Sequence, residues 1–385
     1  MIYLDNAATS FPKPPEVIAE ITRCMTEYCG NPGRGSHKLA LASAEKIYDC
    51  RVALCNLFSA DAPEDVVFTQ NATHALNIAI LSLAREGAHF ICSDCEHNSV
   101  RRPLEYLARE RGCSYSVFNS HVNDPYRSPQ KLCRSIVSLI RPETVAVIST
   151  ACPNVCSARM PLAEIGALCK KANLYFIVDG AQGAGHFEIN MKTSSISALA
   201  IPGHKGLLGP QGSGALILSK DFPARSLTYG GSGTASLDAD MPAELPERLE
   251  AGTLSTPSIV GLEAGIKAVN DIGIDKIASH EAMLFRKALR LLSEIRGVTV
   301  YAPFYSGSVI SFNVDAIPSD KVANLLSERD ICVRGGFHCN PFAHKTLGSD
   351  SFGSVRASFS PFNTADDVYA LADAVRAIAR DKYRI

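Results

Sequence analysis

The chain has no apolar stretch long enough to cross a bilayer. Its apolar runs stop at about six residues, against the roughly 20 that a membrane-spanning helix needs. It has no excess of charge of either sign: net charge is −1 and the basic residues are dispersed. That gives no footing for nucleic acid or for an anionic membrane surface. Glycine loops of the G-x-G-x-x-G or G-x-x-x-x-G-K-[ST] type are missing, which excludes the usual nucleotide sites. Cys92-x-x-Cys95 has no second pair and no histidine pair at finger spacing, so no metal site is expected. The 13 cysteines are odd in number and irregularly spaced. This argues against a disulfide framework and for free thiols in the cytoplasm. With Asp5 so early in the chain, no secretory leader is expected. Internal repeats and low-complexity tracts are also lacking.

What is present is a chain of 385 residues, 46% hydrophobic, enough for one large domain and a smaller one. Two helices are expected first, over 15–29 and 38–58, with a glycine-broken loop at 30–36 between them. Short apolar strands then alternate with helices. Strands are expected at 65–69, 89–92, 114–118, 144–149, 174–178, 197–201 and 214–218. The intervening helices are expected at 72–85, 99–111, 128–140 and 162–172. Short apolar strands between helices mean a mostly parallel, buried sheet. Residues 229–257 read as an ordered excursion near the site; their composition also suits a mobile lid. Helices over 257–270 and 275–295 lead into a looser α+β region, with strands at 298–301, 309–314, 332–334 and 354–358 and helices at 320–328 and 364–380. The expected division is 14–256 for the large domain and 1–13 with 257–385 for the small one.

In a parallel α/β sheet, ligands sit beyond the carboxyl ends of the strands. That edge collects Gln70-Asn71-Ala72-Thr73-His74 at a helix start, which suits a phosphate or is a simple N-cap. It collects His97, a candidate for stacking or proton transfer or else a surface histidine. Asn154 and Gln182 fall there too. Asp179 follows a run of apolar residues, where a carboxylate needs a cationic partner such as a protonated heterocycle or an arginine. Finally, Lys205 sits in Pro202-Gly203-His204-Lys205-Gly206 after a buried strand, a setting for an imine-forming lysine. Lys205 alone also reads as a solvated turn residue. A phosphate nest, an imidazole, a carboxylate, an amide and a lysine together fit pyridoxal 5′-phosphate. A separate segment, Arg334-Gly335-Gly336-Phe337-His338-Cys339, offers a candidate nucleophile. Cys339 alone reads as a small buried hydrophobe; beside a positive charge such as Arg334, its thiolate form is favoured.

These residues carry a resemblance to the class V aminotransferase-like enzymes, and within them to the group II cysteine desulfurases, which include selenocysteine lyases. It runs nearly end to end, through Tyr3-Leu4-Asp5-Asn6-Ala7-Ala8-Thr9, Asn31-Pro32-Gly33-Arg34-Gly35-Ser36-His37, Ala72-Thr73-His74, Glu96-His97-Asn98-Ser99, Asp179-Gly180-Ala181-Gln182, Gly203-His204-Lys205, Glu250-Ala251-Gly252-Thr253, Arg334 to Cys339 and Val355-Arg356-Ala357-Ser358. The resemblance implies a pyridoxal-phosphate-dependent transferase fold of type I and a homodimer. It implies Lys205 as the Schiff-base lysine and α-proton base, Asp179 on the pyridine nitrogen, Gln182 on the ring oxygen and His97 stacked on the ring. Ala72, Thr73 and His204 would hold the phosphate, with Thr253 reaching it from a second subunit. Arg356 would clamp the substrate carboxylate, assisted by Asn154 and with Arg334 nearby. Cys339 would take sulfur from L-cysteine, leaving L-alanine, and hand it to an acceptor protein. Selenocysteine lysis, or another class V activity such as transamination or epimerisation, stays open. Two departures stand out: Pro202 replaces a usual serine, and Ala151-Cys152-Pro153-Asn154-Val155-Cys156-Ser157 keeps only Asn154-Val155 of the usual stretch.

Overall fold

Short runs of Val, Ile, Leu and Phe, buried on both faces, form the central sheet because a strand covered by helices on each side has no polar face to keep. The computed structural model describes residues 1–33 and 35–381. Arg34, within the Asn31–His37 motif, lies outside the described residues. In chain order the strands of the sheet are β2 (Val66–Thr69), β3 (His89–Ser93), β4 (Ser114–Phe118), β5 (Thr144–Thr150), β6 (Tyr175–Asp179), β7 (Ala198–Pro202) and β8 (Gly214–Leu218), after a short β1 (Ile2–Tyr3). Their order across the sheet is β2-β8-β7-β6-β5-β3-β4. The β3–β4, β3–β5, β5–β6 and β6–β7 pairings are parallel, and β8 runs antiparallel to both its neighbours.

The first helices are α1 (Pro15–Arg23), α2 (Lys38–Phe58), α3 (Ala72–Ser82), α4 (Asn98–Glu110), α5 (Pro129–Val137) and α6 (Leu162–Lys171). Next come α7 (Thr256–Ile272), α8 (Ile274–Ser293), α9 (Ser319–Ser327), α10 (Pro341–Leu347) and α11 (Ala365–Asp381). Apolar side chains pack on both faces of the sheet. Phe176, Val178 and Ile201 join one cluster; Phe90, Ile148 and Ile177 join the other. A third cluster, built on Phe285, Phe312 and Leu371, lies around a three-stranded antiparallel sheet of order β12-β10-β9. Its strands are β9 (Val298–Tyr301), β10 (Val309–Val314) and β12 (Val355–Ser358).

The expected elements differ from the observed ones mainly at their ends. The expected first helix becomes a π-helical turn at Cys24–Tyr28. The strand expected at 332–334 is β11 (Ile331–Cys332), paired in parallel with β1, and Arg334 makes only an isolated bridge to Arg356. Gly273, at φ +91°, separates α7 from α8. Residues 229–254 hold no regular element. Within the described residues no helix is long and apolar enough to cross a membrane.

Candidate active site

The ends of β5, β6 and β7 and the starts of α3 and α4 meet in one pocket. Asp179 is the last residue of β6, and Lys205 lies in the turn after β7. That turn must pass close under a neighbouring one. A Cβ on Gly206 would come within 2.3 Å of the Ala184 carbonyl oxygen, so only glycine fits there. At the start of α3, the Asn71 side chain accepts the His74 amide at 2.9 Å. The amides of Ala72 and Thr73, in the first turn, have no helical carbonyl below them and face the pocket wall. At the start of α4, His97 Nδ1 accepts the Ser99 amide at 3.1 Å, so the ring proton sits on Nε2. Ser99 Oγ and Thr73 Oγ1 lie 2.7 Å apart and link the two helix starts.

Ala72, Thr73, His97, Asn154, Asp179, Gln182, His204 and Lys205 all line this pocket. Pro202 lines it as well, where it offers neither hydroxyl nor amide hydrogen. Lys205 keeps some surface toward the pocket but is otherwise ringed by protein, and its amine makes no ion pair among the described residues. Burial pulls its pKa down to about 8; Asp179 opposes this, and Arg356 and Arg334 add to it. Burial raises the Asp179 carboxyl, against the Ala181 amide that donates to it at 2.9 Å and the charge of Lys205. Burial, then the charge of Lys205, lowers both His97 and His204 to about 4, so both are neutral near pH 7.

The N-terminal segment supports the lysine turn from behind. The His204 carbonyl accepts from the Ser10 amide at 3.0 Å, Thr9 Oγ1 at 3.1 Å and Lys13 Nζ at 3.0 Å. Nothing in the local pattern around Lys13 pointed to this contact. Burial lowers the Lys13 amine to about 8. Glu96 was likewise quoted only as part of a motif. It is fully buried, accepts from Ser93 Oγ and from the Thr150 amide at 2.8 Å, and burial pushes its carboxyl up to about 8.

Cys339 does not line the pocket; it stands exposed on a loop tied to the pocket wall. Asn98 donates its amide to the Cys339 carbonyl at 2.8 Å. Asn154 Nδ2 donates to the His338 carbonyl at 2.7 Å. Asn340 Nδ2 donates to Asn154 Oδ1 and to the Cys95 carbonyl, both at 2.9 Å. The Asn154 amide is thus engaged with the cysteine loop, and Asn340, not anticipated from the sequence, completes the tie. His338 and Cys339 both hold positive φ, at 51° and 54°, a conformation costly for residues with a Cβ.

Arg356 is buried and Arg334 exposed. Both bond Asp5, a residue quoted above with no role. Thr253 is exposed and lies on other clefts, one of which it shares with Gln70 and His74.

Two buried polar atoms on the pocket wall have no partner: Gln182 Oε1 and His204 Nδ1. With a lowered lysine amine, a carboxylate at a strand end and free amides at the start of α3, the pocket fits pyridoxal 5′-phosphate. The sequence profile of the aminotransferase class-V family matches residues 2–371. The chain belongs to the class V aminotransferase family. It is 32% identical to a probable cysteine desulfurase of Methanothermobacter thermautotrophicus, over 98% of this chain and 94% of the relative. Among solved structures it is similar to the apo cysteine desulfurase of Thermococcus onnurineus. That match has a TM-score of 0.88 at 28% identity, covering 99% of this chain and 95% of the other. The cysteine desulfurase CsdA of Escherichia coli, in its S-sulfonic acid form, matches with a TM-score of 0.85 at 26% identity. The two chains are covered to 98% and 94%. The type I fold expected above, with its mostly parallel sheet, is the observed one.

Proposed function

We propose that this protein is a cysteine desulfurase that turns L-cysteine into L-alanine and leaves the sulfur as a persulfide on Cys339. One observation carries the reading: a half-buried lysine without an ion pair among the described residues lines one pocket with a strand-end carboxylate, beside a strained loop presenting an exposed cysteine. Pyridoxal 5′-phosphate, when bound, supplies an electron sink in conjugation with the substrate α-carbon. Ala72, Thr73 and His204 would hold its phosphate, Asp179 the proton on its ring nitrogen and Gln182 its ring oxygen. The neutral His97 ring would lie against its face.

The protein's own steps follow from the site. Lys205 Nζ, with its pKa near 8, is neutral often enough near pH 7 to take the α-proton. Arg356 orients the substrate carboxylate. Cys339, as thiolate, attacks the substrate sulfur: an S–S bond forms, the substrate C–S bond breaks, and the β-carbon is protonated to give alanine. The exposed loop then offers the persulfide to an acceptor protein. Thr253, remote from this pocket in one chain, would complete the phosphate site of a neighbour in a homodimer. The division into residues 14–256 and the remainder belongs to the same proposal. The test is to incubate the cofactor-loaded protein with L-cysteine, assay alanine, and weigh the peptide containing Cys339. Alanine formation with one added sulfur on that peptide is expected. Alanine with no sulfur there would overturn the role of Cys339.

A further inference from the structure

Asp5 stands between the two arginines assigned to the substrate. Its Oδ1 lies 2.9 Å from Arg356 Nη2; its Oδ2 lies 3.1 Å from Arg334 Nε and 3.0 Å from Arg334 Nη2. Backbone pairing fixes the arrangement. Arg334 and Arg356 exchange amide and carbonyl at 3.2 and 2.8 Å, and Ser358 donates its amide to Leu4 at 2.7 Å, beside Asp5. Three segments remote in sequence therefore deliver two guanidinium groups and one carboxylate to the same spot. All three are close enough to Lys205 to act on its amine.

Arg356 is not used up by this contact. A guanidinium has five N–H groups. Nη2 serves Asp5 and Nη1 the Asn154 carbonyl at 3.1 Å, while the buried Nε has no partner. Arg356 thus keeps donors beyond its bond to Asp5, behind the residues that line the pocket. Arg334, Arg356 and Asp5 together carry two positive charges and one negative charge. The nearby histidines 97, 204 and 338 are held neutral, first of all by burial, and Glu96 is held protonated. None of them alters the count near pH 7.

We propose that Asp5 is a specificity-determining residue: it cancels one of the two guanidinium charges and matches the site to a monocarboxylic amino acid with an uncharged side chain. A dicarboxylic amino acid brings a second negative charge for which this cluster has no free positive charge left. This rests on the amino-acid-binding site proposed above and adds which amino acids it admits.

The test uses the cofactor-loaded protein and two competitors of nearly equal size, L-asparagine and L-aspartate. Their inhibition constants against L-cysteine turnover give a selectivity ratio. Asp5→Asn, which keeps the volume and removes the charge, should move the ratio toward L-aspartate by about tenfold. Asp5→Glu should restore the wild-type preference. Arg334→Gln, which removes one guanidinium charge at a half-exposed position, should move the ratio the opposite way and keeps the test decisive if Asp5→Asn folds poorly. An unchanged ratio in Asp5→Asn or in Arg334→Gln, with both amino acids still competing, would overturn the role of Asp5 and leave the desulfurase reading intact. If neither amino acid competes in the wild type and no alanine forms from L-cysteine, both fall together.

Discussion

The lysine pocket and the cysteine loop are built on opposite terms. Around Lys205 the chain buries its ionisable groups wholly or in part. Its amine, His97 and His204 have lowered pKa values, and Glu96 has a raised one, with burial as the leading cause in each. Around Cys339 the chain does the reverse: the thiol is exposed, and what is unusual is its backbone, with two consecutive residues at positive φ. One region tunes proton affinity by desolvation; the other fixes direction by strain. In the proposed reaction a base has to lose its proton inside a pocket, whereas a sulfur carrier has to reach both the substrate and an acceptor.

Four measurements break or sharpen this contrast. The largest effect belongs to Lys205→Ala, which should lower turnover by on the order of 10⁴-fold. It should also remove the visible absorption band of the lysine-bound cofactor; a band that survives and can be trapped by borohydride would move that role elsewhere. Next, Cys339→Ala should keep the cofactor band and its response to L-cysteine while turnover falls on the order of 10³-fold. Normal turnover in this variant would make the exposed loop dispensable.

Third is the pH dependence of cofactor loading. The neutral amine is the nucleophile, so the rate should climb about tenfold per pH unit below the Lys205 pKa and level off above about 8. An ordinary lysine would keep climbing toward about 10.4. A profile still rising at pH 10 would mean that burial does not tune this residue. The smallest effect is on stability. Because Cys339 holds φ 54°, Cys339→Gly should be more stable than Cys339→Ala by about 1 kcal/mol in chemical unfolding. Equal stability would show that the loop is not strained there.

The same contrast governs what could be read from the sequence. The strands ending at Asp179 and Pro202 announce themselves as local apolar runs, because burial on both faces leaves a pattern within a few residues. The pocket residues follow, since strand ends converge by topology. The cysteine loop carries no such signal. Asn340 acts through contacts to Asn154 and Cys95, and α10 behind it is only one short turn-rich helix. β1 is two residues long and finds its partner β11 across most of the chain, so no periodicity reveals it. Asp5 was visible as a letter in a motif, but its place between two arginines exists only once three distant segments have met.

The tie between the two ends of the chain has a consequence for biosynthesis. Residues 2–3 pair with 331–332, Asp5 holds Arg334 and Arg356, and residues 9, 10 and 13 hold the carbonyl just before Lys205. The segment around residues 2–13 must wait for the later-made segment around 331–356 before it can settle. Domains generally fold in order of emergence; here the central sheet can form early, while the cluster of Asp5, Arg334 and Arg356 stays unfinished until residue 356 has been made. A nascent chain stalled before residue 356 would carry the strands of the central sheet without Arg356 to pair with Asp5.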